Sequence, residues 1–240
     1  ASWSPEPFSF TDENGDAQSI EVYRKTSSSS LDAFLVTNPE AGEAQSVIET
    51  PKNTFTGITV FFEKRFSNKW MLHADYTYGK AKGNHTNLMS GGNGATTNYL
   101  NPNLQINSYG CLAYDPTHNL QIYGSFELPL GFAFSPRLSV RSGNPWARDV
   151  KLTFSGSPVV NIEARGSSER LPTRIDLDFR LEKFFLLREK FRFGLLFDVF
   201  NAINRGIETS VYTTVTTSYF GKAKAVNDGR YVRIGARLLF

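Results

Sequence analysis

His73 and Asp75 stand two residues apart in the run KWMLHADYTY, so in an extended strand both side chains leave the same face. Such a pair could begin a metal site, but no third ligand has a matching spacing, and His85 and His118 fall in or beside polar segments. Asp176 and Asp178 repeat the same geometry and could divide acid and base roles. Arg174 and Arg180 flank them on that face and argue for charge pairing instead. Ser90-Gly91-Gly92-Asn93-Gly94 has the glycines of a phosphate loop without the Lys-Ser/Thr that would hold phosphate and metal. Cys111 is the single cysteine, which excludes an intramolecular disulfide framework. No catalytic constellation survives, and the expectation is a protein that is not an enzyme and uses no metal or cofactor.

The elements that carry these residues are strands. Twenty Phe, ten Tyr and three Trp against two Met bias the chain toward strand formers. A net charge of +3 gives no electrostatic case for nucleic acid. No run approaches the roughly 18 apolar residues of a membrane helix, and mean hydropathy is slightly negative. Barrel strands alternate lipid-facing and lumen-facing residues, so neither observation argues against a membrane barrel.

Period-two alternation marks seven long strands at about 53–66, 69–82, 117–128, 132–142, 172–185, 190–203 and 229–240. In the fifth, Ile175, Leu177, Phe179, Leu181 and Phe185 oppose Arg174, Asp176, Asp178, Arg180 and Glu182. The sixth sets Phe191, Phe193, Leu195, Phe197 and Val199 against Arg192, Gly194 and Asp198, and the last sets Val232, Ile234 and Leu238 against Arg233 and Arg237. The charged residues of these strands, Arg174, Asp176, Asp178, Arg180, Glu182, Arg192, Asp198, Arg233 and Arg237, are expected to line a lumen and pair across strands. Phe61, Leu196 and Phe200 interrupt the polar face.

Short turns alternate with long polar segments at about 83–116, 144–171 and 204–228. This is the layout of a transmembrane barrel, with periplasmic turns and extracellular loops. The expected fold is therefore all-β: an antiparallel transmembrane β-barrel segment. Residues 1–52 form an extracellular loop region and residues 53–240 hold the barrel strands. Within the first region, Phe8–Thr11 and Ser19–Arg24 flank Asp12-Glu13-Asn14-Gly15-Asp16 and suggest a short exposed hairpin. The start, ASWSPEPF, lacks the basic and apolar segments of a signal peptide.

The segments Phe62-Glu63-Lys64-Arg65-Phe66-Ser67-Asn68-Lys69-Trp70 and Ala74-Asp75-Tyr76-Thr77-Tyr78-Gly79-Lys80 resemble strands near the C-terminus of TonB-dependent receptors. They are particularly similar to Oar-like receptors with a carboxypeptidase-regulatory-like N-terminal domain. Tyr114–His118 with Gly124–Pro129, Ser142–Trp146 and Asp198–Asn204 resemble that family too, so the likeness covers about residues 35–240. The terminal Phe240, preceded by apolar residues at every second position, resembles the signal read by the barrel assembly machinery.

The resemblance implies a bacterial outer-membrane receptor that imports a bulky ligand through a plugged barrel coupled to TonB. Its partners would be outer-membrane lipid and the remainder of the receptor, with its missing strands and plug. Loop aromatics Tyr99, Trp146, Tyr212 and Tyr219 are the candidate ligand contacts. Such receptor barrels have 22 strands, against seven here. A fragment of a longer chain, completion by a partner, and an eighth strand from residues 17–25 all remain open, the fragment reading coming first. A stand-alone small barrel with a structural or adhesive role and a soluble carbohydrate-binding sandwich are the other readings.

Overall fold

The structure is a computed structural model that describes residues 3–26, 52–84, 101–154, 158–188 and 191–239. Tyr99, His85, the Ser90–Gly94 run and Phe240 lie outside the described residues. Among the described residues sixteen strands occur in chain order: β1 (Trp3–Thr11), β2 (Ala17–Lys25), β3 (Asn53–Ser67), β4 (Trp70–Gly83), β5 (Gly110–Cys111), β6 (His118–Leu128), β7 (Phe132–Arg141) and β8 (Pro145–Trp146). They continue with β9 (Asp149–Lys151), β10 (Val159–Asn161), β11 (Glu169–Arg170), β12 (Arg174–Arg188), β13 (Phe191–Phe200), β14 (Glu208–Val211), β15 (Ala223–Val226) and β16 (Tyr231–Leu239).

The seven long strands form one antiparallel sheet in the order β16-β13-β12-β7-β6-β4-β3, with β5 added beside the far end of β4. Each expected strand is present, its ends shifted by three residues at most. The β3–β4 connection is the two-residue turn Asn68-Lys69, both at positive φ, the mirror-image turn whose twist suits a tight hairpin. Leu130 and Gly131, also at positive φ, turn β6 into β7.

Register places the two sets of side chains on opposite faces without a slip across the central strands. Leu181 lies between Phe134 and Phe197, and Phe197 faces Ile234, while Arg180 lies beside Asp198 and Asp198 beside Arg233. The apolar face is not covered. Ile58 is 62% exposed and Ile234 77%, with Val60, Phe62, Phe66, Leu195, Phe197 and Leu238 exposed as well. A soluble sandwich would bury such faces against each other, so that reading is set aside. A sheet this apolar on an uncovered face requires lipid as its solvent.

The principal buried core lies off the sheet, among the long connections. Val22, Val150, Leu152 and Val160 pack together, with Phe8, Phe10, Ile20, Ile106, Phe154 and Ile162 around them. The N-terminal hairpin is therefore not simply exposed: Val22 is fully buried, because one face of β1–β2 closes on β9 and β10. Nor does it supply an eighth barrel strand. β1 and β2 pair with each other, while β3 and β16 are the edges of the long sheet. Pro5 and Pro7, each without an amide donor, sit on β1, an edge strand where such residues are tolerated and discourage further pairing.

Candidate functional site

Two constellations emerge: a ladder of charges on the polar face and a cap built from the long connections. The ladder runs across β12, β13 and β16. Asp198, nearly buried, receives Arg180 Nε at 2.6 Å on one side and Arg233 Nη2 at 2.8 Å on the other. Directly opposed positions on neighbouring strands are close enough for such pairs to form. One register step toward the short turns, Glu182 reaches Arg237, with Oε1 2.6 Å from Nε and Oε2 accepting from Nη2 at 2.8 Å.

Glu182 lies on β12 and Arg237 on β16, so their pair spans the intervening strand β13. It crosses at Gly194, which faces Phe184 on one neighbour and Arg237 on the other. A Cβ added at Gly194 would lie 2.7 Å from Glu182 Oε1 and 3.2 Å from Arg237 Cγ. The glycine is a window through which two nonadjacent strands are bridged.

The remaining expected polar-face residues share this face. Arg174 holds Asp176 at 2.6 Å, and Asp178 accepts from Asn201 N at 2.9 Å, with Arg137 of β7 3.9 Å away. Arg192, near the short-turn end, joins no ion pair among the described residues. The aromatic interruptions have local partners: Phe200 stacks on Tyr231 with centroids 4.5 Å apart, beneath the Arg233 guanidinium. His73 lies 3.5 Å from Asp75 and stacks on Tyr123 at 4.8 Å.

At the long-loop end, Asn103 is fully buried and its side-chain amide acts as a surrogate strand. It accepts from Tyr23 N at 2.7 Å and donates to Tyr23 O at 2.7 Å, capping the free edge of β2. Asn103 is presented by a short 3₁₀ turn, Pro102–Gln105, itself capped by Asn101. The tip of the β1–β2 hairpin is tied to the connection between β7 and β12: Arg148 contacts Glu13 at 2.7 Å and Asp12 at 3.8 Å. Asp115, also buried, accepts from Ala81 N at 2.9 Å and pairs with Arg170 at 3.1 Å, fastening a third connection.

Burial opposes ionisation of Asp12, but amide donors from Asp16 and Asn14, the Gln18 side chain and nearby Arg148 outweigh it. Its carboxyl is thereby held below the ordinary carboxylate value. Arg148 is shifted upward, first by its hydrogen bond to Glu13, against the opposing effect of burial. A depressed carboxyl contributes stability that is complete above its unfolded pKa, about 3.9, and lost as pH falls through the lower folded value. The Asn14 and Asp16 amides are therefore expected to stay protected from hydrogen exchange from neutral pH to about 4. Protection should fall on further acidification, and Asp12→Asn should remove most of this dependence.

Three of the four loop aromatics fall in the cap. Trp146 packs edge-on against Phe220 at 6.0 Å, and Tyr212 lies 5.6 Å from Tyr219. The two connections are joined by Asp149 N donating to Thr213 O and Val215 N donating to Asp149 O. Sequence reasoning missed Asn103, Asp115, Arg148 and Arg170. Only Asn101-Pro102-Asn103, a helix-start pattern, gave a local signal.

A profile of the outer membrane beta barrel domain matches residues 9–148. TonB-dependent transporter Oar of Myxococcus xanthus is 26% identical over 193 residues, an alignment covering 73% of this chain and 17% of that protein. The outer membrane transporter YddB of Escherichia coli has a similar fold, with a TM-score of 0.51 and 15% identity over 79% of this chain and 25% of its own. This chain thus spans well under a third of either relative. The profile takes in the β3–β4 and β6–β7 hairpins, and the same polar and apolar faces continue through β12, β13 and β16. A bacterial outer-membrane setting and an antiparallel transmembrane sheet follow, and the chain belongs to the outer membrane beta barrel domain family.

Proposed function

We propose that this chain supplies C-terminal barrel strands of a TonB-dependent transporter that takes a bulky ligand at its long loops and imports it through a plugged barrel. The observation that carries this reading is that the described residues form an open sheet, seven long strands with backbone edges at β3 and β16. In hydrocarbon, unpaired backbone groups are too costly to persist, and single-chain bacterial barrels use even strand numbers. Further strands must complete the barrel. The alignment with 17% of the Myxococcus xanthus transporter supports a larger parent of that kind. A small barrel closed by residues 17–25 loses its support, since β2 pairs with β1 and Asn103.

On this reading residues 1–52 belong to the extracellular loops and residues 53–240 hold the barrel strands. Arg174, Asp176, Asp178, Arg180, Glu182, Arg192, Asp198, Arg233 and Arg237 line the lumen. Trp146, Tyr212 and Tyr219, with Tyr99, contact ligand. The partners are the rest of the receptor with its plug, TonB through that plug, outer-membrane lipid, and the assembly machinery that reads Phe240. The intact mass of the protein isolated from its native membrane tests the core of the proposal. A value several times the 26.9 kDa of this chain is expected, and a value near it would overturn the reading.

A further inference from the structure

Outward-facing lysines fall into two groups. Near the short turns, Lys64 donates to Ser67 O and Trp70 O and lies 3.9 Å above the Trp70 ring. Lys183 likewise donates to Leu130 O and lies over Phe132 and Phe185. The chain's own carbonyls and rings satisfy both. At the opposite end of the same apolar face, Lys52, Lys80 and Lys82 are exposed, and none has an ion-pair partner among the described residues.

Their placement follows from register. Along β4 the outward positions read Trp70, Leu72, Ala74, Tyr76, Tyr78, Lys80 and Lys82, and along β3 upward from the membrane they read Phe62, Val60, Ile58, Thr56 and Thr54, with Lys52 next. Thr56 faces Lys80 and Thr54 faces Lys82. On β6 the same face runs from Phe126 through Ile122 and Leu120 to His118, whose Nδ1 is 2.7 Å from the Tyr76 hydroxyl. Trp70 to Tyr78 is eight residues, about 26 Å of strand, or about 20 Å of bilayer depth at a typical barrel tilt. Apolar residues thus give way to Tyr and His, then to Thr and Lys, as depth changes from hydrocarbon to interface. Among the described residues, no carboxylate occupies an outward position of this sector. Asp115, which caps Ala81 N, is buried and paired with Arg170.

We propose that this sector binds a lipid with a phosphorylated headgroup in the outer leaflet, its acyl chains against Ile58, Val60, Leu72 and Leu120 and its phosphates on Lys52, Lys80 and Lys82. Charge complementarity selects the occupant: Lys80 and Lys82 are about 7 Å apart along the strand, Lys52 flanks them, and Thr56 opposite Lys80 adds an exposed hydroxyl. A zwitterionic headgroup would leave net positive charge at this interface. A small soluble anion would make no use of the adjoining apolar wall.

The test uses the full-length protein carrying these strands, delipidated in non-ionic detergent, with diphosphoryl lipid A as probe and native mass spectrometry as readout. With each lysine near a charged interface contributing about fivefold, Lys52→Gln/Lys80→Gln/Lys82→Gln is expected to weaken binding about a hundredfold. Replacing the same three by Arg should preserve it, and Lys64→Gln/Lys183→Gln should leave it unchanged. If the triple glutamine variant does not fold, Lys80→Gln alone should still cost about fivefold. Undiminished binding by the folded glutamine variants, equal binding of dephosphorylated lipid, or displacement by millimolar inorganic phosphate would each overturn the proposal.

Discussion

Gly194→Val is expected to destabilise the barrel by about 2 kcal/mol, although strand propensity alone would favour valine by up to about 1 kcal/mol. The added Cβ would come within 2.7 Å of Glu182 Oε1, and the branched methyls would fill the gap where Glu182 meets Arg237. Glu182 is nearly buried, so separating it from Arg237 strands a carboxylate away from water. Breaking a buried pair costs about 3–5 kcal/mol. Arg237 is partly exposed and retains hydration, which lowers that figure, and the propensity gain lowers it further.

Gly235→Val is the matched control, on the same face of the neighbouring strand. A Cβ there meets Leu196 at 3.8–3.9 Å, ordinary contact, so the change should be neutral or mildly stabilising. Denaturant unfolding of the full-length protein in detergent, read by heat-modifiable mobility, measures both. In a Glu182→Ala background the Gly194→Val penalty should largely vanish, because the interaction it obstructs is already gone. An equal penalty in both backgrounds would mean the valine acts by backbone distortion instead.

The strands were legible in sequence for a physical reason. A strand in lipid must be apolar on one face from end to end, and a strand lining a polar interior must be polar on the other. Ile175, Leu177, Phe179 and Leu181 against Arg174, Asp176, Asp178 and Arg180 expose both demands at once. Pairing partners were less legible. Alternation assigns Glu182 and Arg237 to one face, but not that they meet across a strand lacking a side chain at the crossing. In the sequence Gly194 stands on the polar face with Arg192 and Asp198 and shows no role of its own, because that role is defined by the two strands beside it.

The cap was hidden more deeply. Val150 and Leu152 do alternate, but β9 and β10 are only three residues long and bury themselves against a hairpin over a hundred residues earlier. Asn103 is 80 residues from the backbone it caps. Local pattern cannot carry such information, and a polar segment rich in Asn, Ser and Gly reads as a solvated loop whether it is free or fastened.

Asn103→Leu is expected to loosen that hairpin while leaving the sheet intact. The substitution keeps the branched shape and the number of side-chain heavy atoms and removes both halves of the amide exchange with Tyr23. Tyr23 N–H and C=O would then be left facing an apolar side chain, at about 1–3 kcal/mol for each unsatisfied buried group. A combined loss of about 2–5 kcal/mol leaves the hairpin fastened by the packing of Val22 on Val150, Leu152 and Val160 and by the partly exposed Arg148–Glu13 pair. The hairpin should therefore open locally more often, and protease added outside intact cells should cut within residues 12–26 far faster than in the parent. Denaturant unfolding of β3 to β16 should shift little, because the sheet shares few contacts with that core. Asn103→Asp should give a weaker form of the same effect: it can still accept from Tyr23 N but cannot donate to Tyr23 O. A global loss of folding with Asn103→Leu would instead show that the cap and the barrel form one cooperative unit, and that the connections hold the strands as much as the strands hold them.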